Sequence, residues 1–352
     1  MRRADEGKQR GIPIYGQRKA IMNKKILSNF LKILISILLS SFFIYLAFQN
    51  INWKEAVSIL QSVHYSYAII TSLFTIIILY LKSYRWGIIL PLKKIEQWPL
   101  FSITSIGFMA IALLPIRMGE FVRPYLISQK SGVKLSSSLA TILIERIYDF
   151  SSLILILMVV LLFVTLPTWV FRAGLIIIAI IVPLLILLTI IAIKKQSSLK
   201  VIEIFVSRLP STISLRAREI IHSFLDGLEI LPDLKRSLSV AFLSLLIWCL
   251  NGLSIYILFF SFDLHLPPVV SYVVLVMTAL GLVLPAAPGF VGNFHFFAAM
   301  GLVLFGVPKT QALTFAIILH LTQFIPPIVC GLSFLLFYKI SLPSLLEEQK
   351  KA

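Results

Sequence analysis

Eight ionisable residues of this 352-residue chain stand inside or beside hydrophobic runs: Lys82, Arg85, Arg117, Glu120, Arg123, Glu145, Arg146 and Asp149. In "LPIRMGEFVRP", Arg117, Glu120 and Arg123 recur every third residue, so a helix aligns them along one side. In "LIERIYDFSSL", Glu145 and Asp149 are an i, i+4 pair with Arg146 between them. A charge at mid-bilayer costs about 2.5–3.5 kcal/mol on insertion scales, so such residues are candidates for function by default. Cations exceed carboxylates in the set, which suits an anionic group. Arginine grips phosphate as a planar fork, and the free N–H groups at the start of a half-helix add donors. The competing reading is architectural, with Arg117, Glu120, Arg123, Glu145, Arg146 and Asp149 forming an ion-pair network that fixes a cytoplasmic hairpin. Lys82 and Arg85, at the close of an apolar run, read as snorkelling side chains that need no function.

Other chemistries find little support. His64, His222, His265, His295 and His320 are scattered along the chain, and isolated histidines pack and hydrogen-bond more often than they catalyse. Cys249 and Cys330 both fall inside apolar runs, where a thiol acts as a small hydrophobe, so neither a disulfide nor a metal is implied. No nucleophile–base pair, metal-ligand cluster or phosphate loop stands out. The chain reads as a non-enzyme with no catalytic residue, cofactor or metal.

The elements that position these residues follow from composition. With 59% hydrophobic and 13% charged residues and a mean hydropathy of +0.96, this is an integral membrane protein. Apolar runs near the roughly 20 residues needed to cross a bilayer lie at 26–48, 66–90, 140–166, 170–193, 236–260 and 311–338. The first is longer than a secretory h-region and lacks a small-residue cleavage site, so it reads as a retained helix. The net charge of +17 sits between the runs, which excludes a nucleic-acid surface and points to topology. Basic residues before the first run put the N-terminus in the cytoplasm. Residues 1–25 read as a basic, disordered cytoplasmic segment, with Met22 an alternative start, and 341–352 as a cytoplasmic tail. The segment 49–66 reads as an external loop.

Two stretches about 170 residues apart break the pattern alike: "LLPIRMGEFV" and "VLPAAPGFVG" each close an apolar run with Leu-Pro and place a glycine four residues later, at Pro115/Gly119 and Pro285/Gly289. The run 99–115 lies between two basic loops, so it starts and ends inside. About 17 residues closed by Pro-x-x-x-Gly fit a re-entrant hairpin, because proline interrupts the ladder and glycine tolerates the turn. By the same charge accounting 267–307 begins and ends outside, as a re-entrant pair or two full spans. The two breaks then approach from opposite faces, the pattern of an inverted repeat whose site forms where discontinuous helices meet. Within the polar loop 196–236, Ile220, Ile221, Phe224, Leu225 and Leu228 share one helical face, which predicts an amphipathic helix on the cytoplasmic surface.

"RMGEFVRPYLISQKSG" followed by "SLATILIERIYDF" resembles the signature of the flippase-like membrane domain shared with lysylphosphatidylglycerol synthase/flippase proteins, the UPF0104 family. The late "LPAAPGFVGNFHFF" is similar to that family's Pro-Gly-Gly-x-Gly-x-x-Glu element, and the resemblance spans about 26–340. It implies that Gly119, Glu120, Arg123, Glu145, Arg146 and Asp149 occupy the family's polar positions, and Pro288, Gly289 and Gly292 its later glycine turn. Phe290 stands where a second glycine is usual and His295 where a glutamate is usual. If that glutamate carries a proton or a lipid amine, His295 changes the charge there. The bifunctional members append a soluble aminoacyl transferase, for which a chain ending at Ala352 leaves no room.

The expectation is an all-α polytopic membrane protein of about eight membrane-inserted helices in two inverted halves with re-entrant or broken helices. It would reside in the inner (plasma) membrane with both termini cytoplasmic and move a phospholipid or lipid-linked headgroup between leaflets. Arg117 and Arg123 would hold phosphate, and Glu120, Glu145 and Asp149 would orient the arginines or meet a positive headgroup. Its partners would be membrane lipids, anionic or zwitterionic phospholipid or polyprenyl phosphate, with homo-oligomerisation left open. The rival readings are a membrane scaffold without transport and an intramembrane enzyme acting on lipid-linked phosphate.

Overall fold

A computed structural model describes residues 34–92, 96–114, 119–208 and 211–338, and among these every regular element is a helix. Pro115, Arg117, the segment 1–25 and the tail 341–352 lie outside the described residues. Helix α1 (Leu34–Phe48) and the short α2 (Trp53–Ser62) meet at 83°. Asn50 ends the first in a left-handed turn at φ 58°, and the Asn52 side chain accepts from the Glu55 N–H to start the second. Part of the expected external loop is therefore helical, with the Ala56 side of α2 buried. Lys309 closes the far end of α1 by donating to the carbonyls of Leu46 (3.1 Å) and Gln49 (2.8 Å).

Among the described residues four helices are long and apolar enough to cross a membrane, or five if the bent pair α1 and α2 is one span: α3 (Tyr65–Ile89), α7 (Thr168–Ile193), α10 (Leu234–Phe259) and α13 (Lys309–Tyr338). This is a multi-pass membrane protein. Helix α6 (Leu135–Leu161) is as long, at 27 residues, but carries Glu145, Arg146 and Asp149. It begins five residues before the apolar run at 140. Its polar opening is covered: Ser137 and Ser138 are buried, and a Cβ on Gly227 would run into the Ser137 carbonyl. That glycine follows α9 (Ser211–Asp226), which with α8 (Lys195–Val206) forms the polar segment between the halves. Leu225 and Leu228 are buried and Ile221 and Phe224 pack beside them in the core shared with α6, but Ile220 is exposed. The predicted apolar face is thus narrower, and it docks on α6 rather than lying free on a surface.

The remaining helices are short. α4 (Gln97–Leu113) leads to the first break and α5 (Val122–Ser131) away from it; α11 (Pro268–Val283) and α12 (Asn293–Val303) do the same at the second. At 11 residues α12 is about 16 Å long, half of a hydrocarbon core of about 30 Å, which favours the re-entrant reading of 267–307 over two full spans.

The packing follows a two-fold pattern. Helix α3 lies against α10, α4 against α13, and α11 against α6. Along α3, Thr71 bonds the Ser254 carbonyl, Arg85 bonds Ser244, and the Ile88 carbonyl accepts from Arg236, so α10 runs the opposite way. Trp98 and Phe101 meet Phe334, while Gly331 sits on Met109, so α4 and α13 are also antiparallel. Elements α3–α6 and α10–α13 are therefore inverted with respect to each other, and each half packs its broken hairpin on the other half's last helix.

Candidate functional site

The end of α4, before the first break, packs against the Pro288–Phe290 turn of the second. At the first, Gly119 folds back on α4 so closely that a Cβ would strike the backbone of Ala110 and Ile111, which is why glycine stands there. At the second, Gly289 (φ 71°) and Gly292 (φ 94°) take left-handed conformations, with Pro288 opening the intervening 3₁₀ turn. Gly292 is pressed against the Ser40 carbonyl of α1, and the Ala287 N–H donates to the Ser40 hydroxyl at 2.7 Å. The Ala112 carbonyl of the first hairpin lies 3.7 Å from where a Gly289 Cβ would be.

Behind the first break lies a buried ion network. Arg85 donates to Asp149 (2.6 and 3.4 Å), Glu145 (3.2 Å) and the Ser244 hydroxyl (2.7 Å), and Arg123 donates to the other oxygen of Glu145 at 2.7 Å. Arg85, Arg123 and Glu145 are 1%, 0% and 1% exposed. Arg123 lies between the rings of Trp86 (5.1 Å) and Phe108 (5.0 Å), in a slot opened by Gly107, where any Cβ would meet its side chain. Trp86 is fixed in turn by donating to Thr141 at 2.9 Å. Trp248 donates to Asp149 at 3.0 Å. Arg85 is thus not the snorkelling residue that the sequence suggested. It lies four residues inside the end of α3 and faces the partner helices instead of water, and its charge within an apolar run was the signal that could have marked it.

Arg146 differs from its neighbours. Its side chain is 32% exposed, and its contact with Asp149 is long, at 3.4 Å. Asp149 has two closer donors in Arg85 and Trp248, so Arg146 is not needed to neutralise it. Arg146 and Asp149 line a cavity of about 200 Å³ together with Lys82, Glu120, Asn251 and Gln323. The Lys82 ammonium sits over the Phe108 ring at 4.7 Å. Phe290 from the second break, Leu282 and Phe324 also line it. The cavity is therefore bounded by both halves and by both breaks. A larger cleft of about 490 Å³ between α6, α10 and α11 is lined by Leu155, Val159, Phe163 and other apolar side chains, and lacks charge. The polar cavity is the better candidate of the two because charged side chains line it.

Of the sequence-predicted residues, the structure brings Glu120, Arg146 and Asp149 to this cavity and Arg123 and Glu145 directly behind it. His295 is elsewhere. It is buried on α12, accepts from the Gly292 N–H at 3.4 Å and packs on His320 with ring centres 4.7 Å apart. His320 donates through Nε2 to the Gly289 carbonyl at 2.7 Å and stacks on Phe324 at 4.2 Å. Sequence reading missed Lys82, Trp86, Gly107 and Trp248 as parts of the site. Among the described residues no group of three or more His, Cys, Asp or Glu is placed to hold a metal.

A model of the family described as the lysylphosphatidylglycerol synthase TM region matches residues 33–331. Two relatives from Methanothermobacter thermautotrophicus, both named UPF0104 membrane protein, are similar to this chain. One is 25% identical over 243 residues, covering 64% of this chain and 72% of the relative. The other is 26% identical over 264 residues, covering 70% and 76%. No solved structure matches. The family match covers both inverted halves and the polar cavity between them: the chain belongs to the lysylphosphatidylglycerol synthase transmembrane-region family.

Proposed function

We propose that this protein moves a phosphate-bearing lipid between membrane leaflets, with the headgroup in the polar cavity and the acyl chains in the bilayer. The observation that carries this reading is the cavity itself, which Lys82 and Arg146 line together with Phe290 of the second break. Those two cations grip phosphate, Arg146 by exchanging its long contact with Asp149 for shorter, charge-assisted bonds. Glu120 and Asp149 meet a positive headgroup or hold Arg146 between visits. Arg123 and Glu145 position α5 and α6 around the cavity without touching the lipid. The reading treats the protein as a non-catalytic transporter.

The test is a leaflet-accessibility assay in proteoliposomes with a fluorescent anionic phospholipid. Arg146→Ala and Lys82→Ala should each slow exchange by about ten- to a hundredfold, since a charge-assisted hydrogen bond is worth about 1.5–3 kcal/mol. Exchange by the parent protein no faster than in protein-free liposomes would sink the reading.

The same proposal orients the protein in the plasma membrane with both termini and the 196–236 segment cytoplasmic, from the distribution of Lys and Arg. Reporter fusions at residues 22, 215 and 345 check it, and an external signal from any of them removes the orientation.

A further inference from the structure

Phe290 is the residue of the second break that a sequence would least put there. Its φ of 57° is left-handed, a conformation that bulky side chains rarely adopt, yet it is 8% exposed and well seated. The seat comes from tertiary contacts. Its N–H donates to the Ala287 carbonyl at 3.0 Å, and its ring meets Phe324 at 6.0 Å. His320, stacked on Phe324, also holds the preceding carbonyl of Gly289.

Phe290 lines two cavities. One is the polar cavity of about 200 Å³. The other is a cavity of about 180 Å³, lined also by Ser36 of α1, Leu114 before the first break and Val283 to Ala287 at the second. Among the described residues, Phe290 and Ile111 are the two that line both cavities. Ile111 belongs to α4, whose backbone is locked by Gly119, whereas Phe290 sits on a turn of left-handed residues. Of the two, Phe290 is the one whose local conformation favours leaving.

We propose that Phe290 is a plug between the two cavities, and that its withdrawal joins them into one passage along which a lipid headgroup moves past both breaks. This rests on the transport reading above. The seated state is held by Phe324 and the apolar cluster around it against the backbone preference of the residue, so loosening that packing releases it. The passage then runs from Lys82 and Arg146 to the backbone of 284–287 and the Ser36 hydroxyl.

The experiment uses the full chain with Cys249→Ser and Cys330→Ser, Ala286→Cys as the only thiol, and a membrane-impermeant charged thiol reagent applied to one face of sealed vesicles at a time. With Phe290 in place, the thiol should react from one face only; with Phe290→Ala it should react from both. Ile111→Ala opens the same passage without altering the strained turn and should give the same result if Phe290→Ala fails to fold. Leaflet exchange should rise roughly tenfold in either variant, equivalent to about 1.4 kcal/mol off the barrier. Reaction from both faces with Phe290 in place, or from one face in both trimmed variants, overturns the plug. Two-face labelling on trimming with no lipid exchange in any variant leaves the plug standing and overturns the transport reading instead.

Discussion

The two breaks share a Leu-Pro-x-x-x-Gly spelling and are held in opposite ways. Around the first, Arg85, Arg123, Glu145 and Asp149 form a network with almost no exposure, and two tryptophans support it. Around the second, residues 284–303 contain no Lys, Arg, Asp or Glu. There the backbone is fixed by Ser40, Asn293 and His320, with the aromatic rings of Phe294 and Phe324 around them. A broken hairpin therefore does not require charge. Proline, glycine and hydrogen bonds to the freed backbone groups suffice, as expected for irregular chain buried within protein at membrane depth. The charges at the first break are an addition to that solution. Their burial cost is offset by close pairing for Arg85, Arg123 and Glu145, and by access to the cavity for Lys82 and Arg146.

The sharpest way to break this comparison is Glu145→Ala. It strips Arg123 of a 2.7 Å partner and Arg85 of a 3.2 Å one, both in buried surroundings. Loss of one member of a buried pair costs about 3–5 kcal/mol, so the variant should show a much lower melting temperature in detergent and poor yield. A parent-like melting temperature would mean that the network does not hold the first hairpin.

Smaller effects should follow from the matched glycines. Gly119→Ala places a methyl group against the Ala110–Ile111 backbone, which cannot swing aside, and should cost the upper part of about 1–3 kcal/mol. Gly289→Ala meets nothing closer than 3.6 Å, so its penalty comes only from φ 71°, roughly 1–2 kcal/mol. Melting temperatures of the two variants side by side decide it. If Gly289→Ala is the more damaging, the second break is the tighter one, and a plug that moves upon it becomes hard to sustain.

Much of this was legible without coordinates. The long apolar helices, the two breaks and their inverted sense follow from hydropathy, from Pro and Gly, and from the placement of Lys and Arg. Reading failed where neighbours far along the chain decide. Ile220 fits the apolar face of α9 by spacing yet is exposed, because α6 covers only part of that face. Residues 53–62 form a helix because Asn52 caps it and α13 packs on it.

The sequence by itself determined the membrane class, the helical architecture and the residues able to carry charge into the bilayer, because these depend on composition and local period. Which of those charges is tied and which lines the cavity follows from helix packing. In the chain Arg85 reads as a snorkelling residue and Arg146 as a site candidate, but the rotation of α3 points Arg85 at Asp149 and Glu145, 64 and 60 residues away, and at Ser244, 159 away. Arg146 shares a helix with both carboxylates and is left facing the cavity. In a low-dielectric interior a cation is tied or available according to the carboxylates within a few ångströms, and that distance is set by helix packing rather than by spacing in sequence.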